Sequence, residues 1–339
     1  MFFCLTFPYA YREPLQNKEF LFWTRRDIYR LLILATIPTT LYQLLDWEWL
    51  AIPWVPIAMI GTAAAFIIGF KNTQTYNRLW EARQIWGGIV NTSRSWALLV
   101  KDCTGQQIND RSLHQELIYR HIAWLTALRY QLREARPWEN INKSYNIEYK
   151  KFYSIPEHLT PFDEALKPYL SASDFEYVWS KKNRATQLIS LQSARLRQLK
   201  DQGLIDPLNF VEMENQLVTL YDLQGRCERI KNFPYPRQFS SINLYFIRLF
   251  TFVVPFGLLQ EFNKLGEHMI WLNIPFSVIV NWVFNTMEKI GEATENPFEG
   301  GANDVPISTL CRTIEIDLRE MLDETDIPAP LAAVNSIQM

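Results

Sequence analysis

Four stretches of this chain are apolar enough to cross a membrane, with polar sequence of helical pattern between and after them. The first runs from about Ile28 to Leu45 and contains Pro38. The second, Trp49 to Phe70, carries 22 residues without a formal charge, enough to span roughly 30 Å of hydrocarbon as a helix. The third, about Ser240 to Leu259, includes Arg248 and Pro255. The fourth, Met269 to Met287, has 19 uncharged residues and holds Asn273, Pro275, Asn281 and Asn285. Beyond Phe70 there is no stop signal, so the second helix is expected to start near Trp54 and run on through polar, Arg-rich sequence.

Between Lys101 and Arg237 the chain turns polar. RSLHQELIYRHIAWLTALRYQLRE and DFEYVWSKKNRATQLISLQSARLRQLKDQG show helical periodicity and none of the alternation of strands. Gly203, Pro207, Pro234 and Pro236 mark breaks. The helical pattern returns in ISTLCRTIEIDLREML after a turn-rich NPFEGGANDVP, and an irregular tail follows from about Ile327.

The pattern predicts an all-α integral membrane protein with four transmembrane helices, a long second helix and a large helical cytosolic region. The expected organisation is an interfacial segment over 1–26, membrane helices one and two over 27–100, and a cytosolic helical region over 101–238. Membrane helices three and four follow over 239–290, with a cytosolic helical segment and tail over 291–339. The N-terminal MFFCLTFPYAYREPLQNKEFLFW lacks a basic n-region and a small-residue cleavage site, so it reads as an aromatic amphipathic segment on the membrane surface.

Charge placement sets the topology. Arg25, Arg26, Arg30, Lys71, Arg78 and Arg83 fall on one side, while the short loops Asp46–Trp49 and Glu261–His268 hold only Lys264. That is the positive-inside pattern, and it predicts a multi-pass protein of the bacterial inner membrane with both termini cytoplasmic. Trp47, Trp49, Trp54, Trp271 and Trp282 lie at or near segment ends, where amphipathic rings favour the interface.

Composition narrows the chemistry. Net charge is −2 and the pI about 6.2, so no basic excess points to nucleic acid. Cys4, Cys103, Cys227 and Cys311 lie far apart without a CxxC, and His114, His121, His158 and His268 follow no metal spacing. No catalytic dyad, phosphate-binding glycine loop or nucleophile elbow occurs. The expectation is no enzyme, no cofactor and no metal.

The chemistry that remains lies on the second helix. Thr62, Phe66 and Phe70 are spaced four apart and form one stripe. Gly61, Ala63, Ala64, Ala65 and Gly69 fill much of the rest and let neighbouring backbones approach closely. Repeated around a symmetry axis, such a stripe makes a narrow apolar constriction of the kind that gates ions by dewetting. Ordinary packing is the competing reading of Phe66 and Phe70. Arg248 is costly in lipid and is expected to face protein or an interface partner. Asn281 and Asn285, one turn apart, are expected to bond across helices.

Three motifs in order sharpen this picture. Gly69 and Phe70 lead through Arg78, Leu79, Trp80, Glu81 and Arg83 to NTSRSWA. Asp206-Pro207 precedes a helix ending in CERIKNFPYP. Asn296-Pro297-Phe298 is followed by Asn303-Asp304. Spread over about Arg25 to Glu320, they resemble the bestrophin ion channels, especially the prokaryotic branch. The resemblance implies a homopentamer with one central pore that passes monovalent ions. Its neck residues correspond to Thr62, Phe66 and Phe70, and its cytosolic aperture residue to Leu208. Thr62 stands where the family usually has a bulkier apolar residue, which implies a wider or wetter outer neck. Prokaryotic members lean towards cations and animal members carry chloride, so ion sign stays open at this point. Animal members bind calcium just after the NPF run. Here Asn296, Asn303 and Asp304 resemble a degenerate remnant of that clasp, too poor in oxygens for the six to eight ligands calcium takes, and Asp304 is expected to cap the helix that follows. A membrane-anchored helical scaffold without conductance is the alternative function.

Overall fold

The structure, a computed structural model, describes residues 17–104 and 111–339. Its helices are α1 (Asn17–Leu45), α2 (Trp54–Cys103), α3 (Arg111–Arg133), α4 (Ser144–Tyr149), α5 (Pro156–Leu159) and α6 (Phe162–Leu166). They continue as α7 (Ala172–Trp179), α8 (Arg184–Asp201), α9 (Pro207–Asn232), α10 (Arg237–Asn263), α11 (Asn273–Ala293) and α12 (Ile307–Met321). No strand occurs among the described residues, only an isolated bridge between Val334 and Ile337. Four helical stretches are long and apolar enough to cross a membrane: Glu19–Leu45, Glu48–Cys103, Arg237–Asn263 and His268–Ala293. Residues 1–16 of the segment expected on the membrane surface lie outside the described residues, and α1 begins at Asn17.

The second apolar run starts at Trp49, yet its helix starts at Trp54. Pro53 holds the residue before it extended, and the peptide turns at Asp46, where φ is 51°, through a short 3-10 turn over Glu48–Leu50. Pro56 is harmless in the first turn of α2, where N–H groups have no intrahelical partner.

The described residues divide into two compact units. One contains 17–78 and 234–295, the other 79–104, 111–233 and 296–339, so α2 belongs to the first up to Arg78 and to the second from Leu79.

In the first unit α11 packs against α1 and α10, and α1 also meets α10. Small residues bring α2 and α10 together. A Cβ at Gly61 would come within 2.5 Å of the Phe250 ring, and one at Gly257 would strike Ile57 and Trp54. Asparagines repair what proline breaks. Pro255, inside α10, has no N–H to donate to the carbonyl one turn back, and that carbonyl, Thr251 O, accepts from Asn281 Nδ2 at 3.1 Å. Asn285 Nδ2 donates to Thr251 Oγ1 at 3.2 Å, so both amides expected to bond across helices do so. Asn273, fully buried, donates to Pro255 O at 3.0 Å and to Thr39 Oγ1 at 2.9 Å, tying α10, α11 and α1. In lipid an unpartnered carbonyl costs several kcal/mol, roughly, which explains amides in an otherwise apolar helix.

The second unit is organised on α3, which packs against α6, α8, α9 and α12. Trp86, Trp96 and Trp124 are fully buried there. Trp124 Nε1 donates to Gln224 Oε1 at 2.9 Å. His121 Nε2 lies 2.9 Å from Ser93 Oγ, and its ring stacks on Trp96. Burial without a charged partner pushes the His121 pKa down to about 3, so this histidine is a neutral core residue. The irregular tail docks by its last residues: Ile337 and Met339 pack with Ile141, Ile155 and Ala302, and Thr309 N donates to Met339 O at 2.6 Å.

Candidate functional site

The first unit gives α2 a packed side. Ile57, Gly61, Ala64, Ile68, Lys71 and Thr75 are buried, spaced by four, three, four, three and four as a single helix face requires. Thr62, Phe66 and Phe70 are exposed, Phe66 by 78% and Phe70 by 49%. At about 100° per residue the mean directions of the two sets lie about half a turn apart. The stripe is therefore diametrically opposite the face that holds α2 in its unit. Two phenylalanines pointing away from their own core need another explanation than packing within the protomer. Gly69, on the open side, has nothing within 4 Å of an added Cβ, and the side-chain oxygen of Thr62 turns back to Ala58 O at 2.9 Å.

Directly below the stripe comes a charge. Lys71 is 1% exposed and Glu288 5%, and Lys71 Nζ donates to Glu288 Oε1 at 2.6 Å. Asn243 Nδ2 donates to the other carboxylate oxygen. The basic residue counted from the sequence as part of the cytoplasmic excess is thus buried and neutralised. Next to it, Asn72 Nδ2 donates to Met287 O at 3.1 Å, and one turn further Thr294 Oγ1 meets Thr75 Oγ1 at 3.0 Å. Lys289 pairs with Asp27 of α1.

Leu208, in the other unit, is 81% exposed in the first turn of α9. Asp206 caps that helix, its carboxylate accepting from Leu208 N at 2.9 Å. Val211, Val218 and Tyr221 continue an exposed apolar surface along α9.

The loop after Phe298 is a buried charge cluster. Asp304 Oδ2 accepts from Gly300 N at 2.7 Å and Gly301 N at 3.0 Å, and Arg133 Nη1 lies 3.4 Å away. Asp304 therefore does not cap α12, whose N-cap position is Pro306 and has no side-chain cap; the loop folds its carboxylate back on its own glycines. Glu299 Oε2 accepts from Asn140 N at 2.9 Å and Asn296 Nδ2 at 3.3 Å. Burial, with Asp304 close by, holds the Glu299 carboxyl well above the usual carboxylate range. Asn303 is exposed, whereas Asn296, Glu299 and Asp304 are buried. Asp304 Oδ2 is already taken by two backbone N–H groups and lies beside Arg133, and Asn296 turns its amide N–H to Glu299. With the positive charge supplied by Arg133 and so few free oxygens, this donor set does not fit a calcium ion. Around it Arg129 meets Glu157 at 2.8 Å, Ser308 Oγ donates to Glu157 at 2.6 Å, and Lys231 pairs with Glu139. Among the described residues no group of three or more His, Cys, Asp or Glu is arranged to hold a metal.

Sequence reasoning missed Lys71–Glu288 and the Arg133, Glu157 and Lys231 network. Lys71 could have been found, because the four-three spacing of Gly61, Ala64, Ile68 and Thr75 already puts it on the packed side. Arg248 is exposed in α10, on a surface that its own unit does not cover.

Four membrane-length helices, with an aromatic stripe turned away from the protomer core, define a helical membrane protein built to present one helix face elsewhere. The chain belongs to the bacterial and fungal bestrophin family, whose sequence pattern matches residues 26–320. It is similar to the voltage-dependent anion channel-forming protein YneE of Escherichia coli K12, 27% identical over 276 residues that cover 81% of this chain and 79% of the relative. A voltage-dependent anion channel-forming protein of Ralstonia nicotianae is 26% identical over 278 residues, covering 82% and 80%. The fold matches the crystal structure of a bacterial bestrophin homologue from Klebsiella pneumoniae with a TM-score of 0.74 at 21% identity, over 88% of this chain and 98% of that one.

Proposed function

We propose that the chain is the subunit of a homopentameric channel of the bacterial inner membrane, with both termini cytoplasmic and one central pore. Five copies of α2 bring Thr62, Phe66 and Phe70 to the axis as an apolar neck, and Leu208 forms a second, cytosolic aperture. The observation that carries this reading is the outward stripe: 78% exposure of Phe66, on the side of a membrane helix opposite its packed face. A single stripe encloses nothing, so closed rotational symmetry is required, and the exposed apolar surface of α9 offers contact area for it. The permeant ions are monovalent, and anions are favoured. The relatives named as anion channel-forming support that sign, and phenylalanine ring edges, which carry partial positive charge, would face the ion path. The same name argues against an enzyme.

Native mass measurement tests the assembly and should give five copies. Planar bilayers with purified protein in asymmetric sodium chloride test the conduction. A reversal potential near the chloride equilibrium potential supports the reading, one near the sodium potential reverses the sign, and an absence of current leaves only a membrane-anchored scaffold.

A further inference from the structure

The neck stripe ends at Phe70 and the next residue is the buried Lys71. Its ammonium group meets Glu288 of α11 at 2.6 Å, and Glu288 is in turn held by Asn243 of α10. The neighbouring residue, Asn72, donates to the main-chain oxygen of Met287 at 3.1 Å. A side chain at Gly291 would collide with Asn72, so α2 and α11 are in close approach at this level. On its other side α11 reaches α1 through Lys289 and Asp27. The cytosolic end of α11 therefore ties the other three membrane helices together one residue beyond the last of the expected neck residues.

A charge pair is an expensive way to join two helices in an apolar setting, since each ion loses its water. What it supplies that leucine cannot is direction. Lys71 lies about 100° around the helix from Phe70. Fixing the azimuth of one fixes the azimuth of the other.

We propose that Lys71 and Glu288 form a latch that sets the rotation of α2, and through it the bore at Phe70. The inference rests on the neck assignment above. Without the carboxylate, a bare ammonium group in the packed interface would be driven towards water. The water it can reach by turning α2 is in the pore mouth. That turn carries Phe70 away from the axis, so loss of Glu288 opens the neck. Lys71 and Glu288 act here as positioning residues and do not touch the permeant ion.

The test uses full-length channels in planar bilayers. A reporter, Thr73→Cys, lies on the exposed side of α2, and its modification by a charged, water-soluble thiol reagent is followed as a change in current. Glu288→Gln should raise open probability or unitary conductance at least fivefold and change the reporter's modification rate about tenfold. The exchanged pair Lys71→Glu with Glu288→Lys should return both to within threefold of wild type, which a loss of general stability would not do. If Glu288→Gln fails to assemble, Lys71→Arg, which keeps the charge and lengthens the arm, should still shift the modification rate at least threefold. Phe66→Ala with Phe70→Ala is recorded alongside. Altered currents in that double variant beside unchanged currents and modification rates in Glu288→Gln overturn the latch alone. Unchanged currents in the phenylalanine variant overturn the neck assignment, and the latch with it.

Discussion

Replacing Phe66 by alanine should change conduction while hardly touching the fold, and replacing Ile68 two residues away should do the reverse. Removing a fully buried phenylalanine costs about 3–5 kcal/mol. Phe66 keeps only a fifth of its surface covered within the protomer, being 78% exposed, so its truncation should cost about 1 kcal/mol or less on that scale. Phe70, 49% exposed, should cost about 2 kcal/mol. Ile68 is fully buried and its alanine variant should lose about 2–5 kcal/mol. At the neck the sign of the functional effect follows from desolvation. An ion in a dry ring of phenyl groups lacks hydration, and a wider, wetter ring restores part of it. A barrier lowered by about 1.4 kcal/mol raises conductance about tenfold. Thr62→Ile, which adds apolar bulk to the same stripe, should lower it. Each variant needs two measurements, unitary conductance in a planar bilayer and the melting temperature of the purified protein. If Ile68→Ala alters conductance at normal stability and Phe66→Ala leaves it unchanged, α2 is rotated from this orientation and the stripe is not the pore face.

Three further outcomes follow from the packing and the buried charges. Gly61→Ala should destabilise the membrane unit by about 1–3 kcal/mol through overpacking, because its Cβ would sit 2.5 Å from the buried Phe250 ring; a melting temperature equal to wild type would show that α2 and α10 are less close. His121, with a folded pKa of about 3 against 6.5 ordinarily, binds its proton more readily unfolded, so stability is lost as pH falls from 6.5 towards 3. Between pH 7 and pH 5 this amounts to about 2 kcal/mol, and His121→Gln should remove that part of the acid slope in thermal melts. Glu299 has the opposite sign. Its raised pKa means the fold favours the protonated form, a contribution present at acid pH and lost as pH rises from 4.5 towards about 8, so Glu299→Gln should be the more stable protein at pH 8 and equal to it or less stable at pH 5.

The helical architecture was readable because bilayer and helix impose lengths that leave plain marks: 22 uncharged residues ending at Phe70 can do little else. The stripe was equally plain from its spacing, and the exposure of Phe66 and Phe70 adds which way it points. Asp304 was harder. A carboxylate shortly before a helix is read as a cap, and nothing local says that Gly300, with φ of 92°, bends the loop so that its N–H groups capture that carboxylate first. The partners of Arg133 and Lys231 were invisible for a different reason. Arg133 and Asp304 are 171 residues apart and Lys231 and Glu139 92 apart, and periodicity reports only faces within one helix. Glu288 sits at the end of an apolar run, where a charge reads as the helix leaving the membrane; only the tertiary fold shows it turned inward.

The proline in α10 bears on how the protein is made. The carbonyl of Thr251, freed by Pro255, is satisfied by Asn281, which the ribosome adds thirty residues later. Until then the first of the two helices carries an open acceptor that hydrocarbon cannot satisfy. Only the short stretch Lys264–Leu272 separates α10 from α11. The carbonyl is satisfied only when α10 and α11 lie side by side, so in hydrocarbon the two helices are stable as a hairpin rather than one at a time.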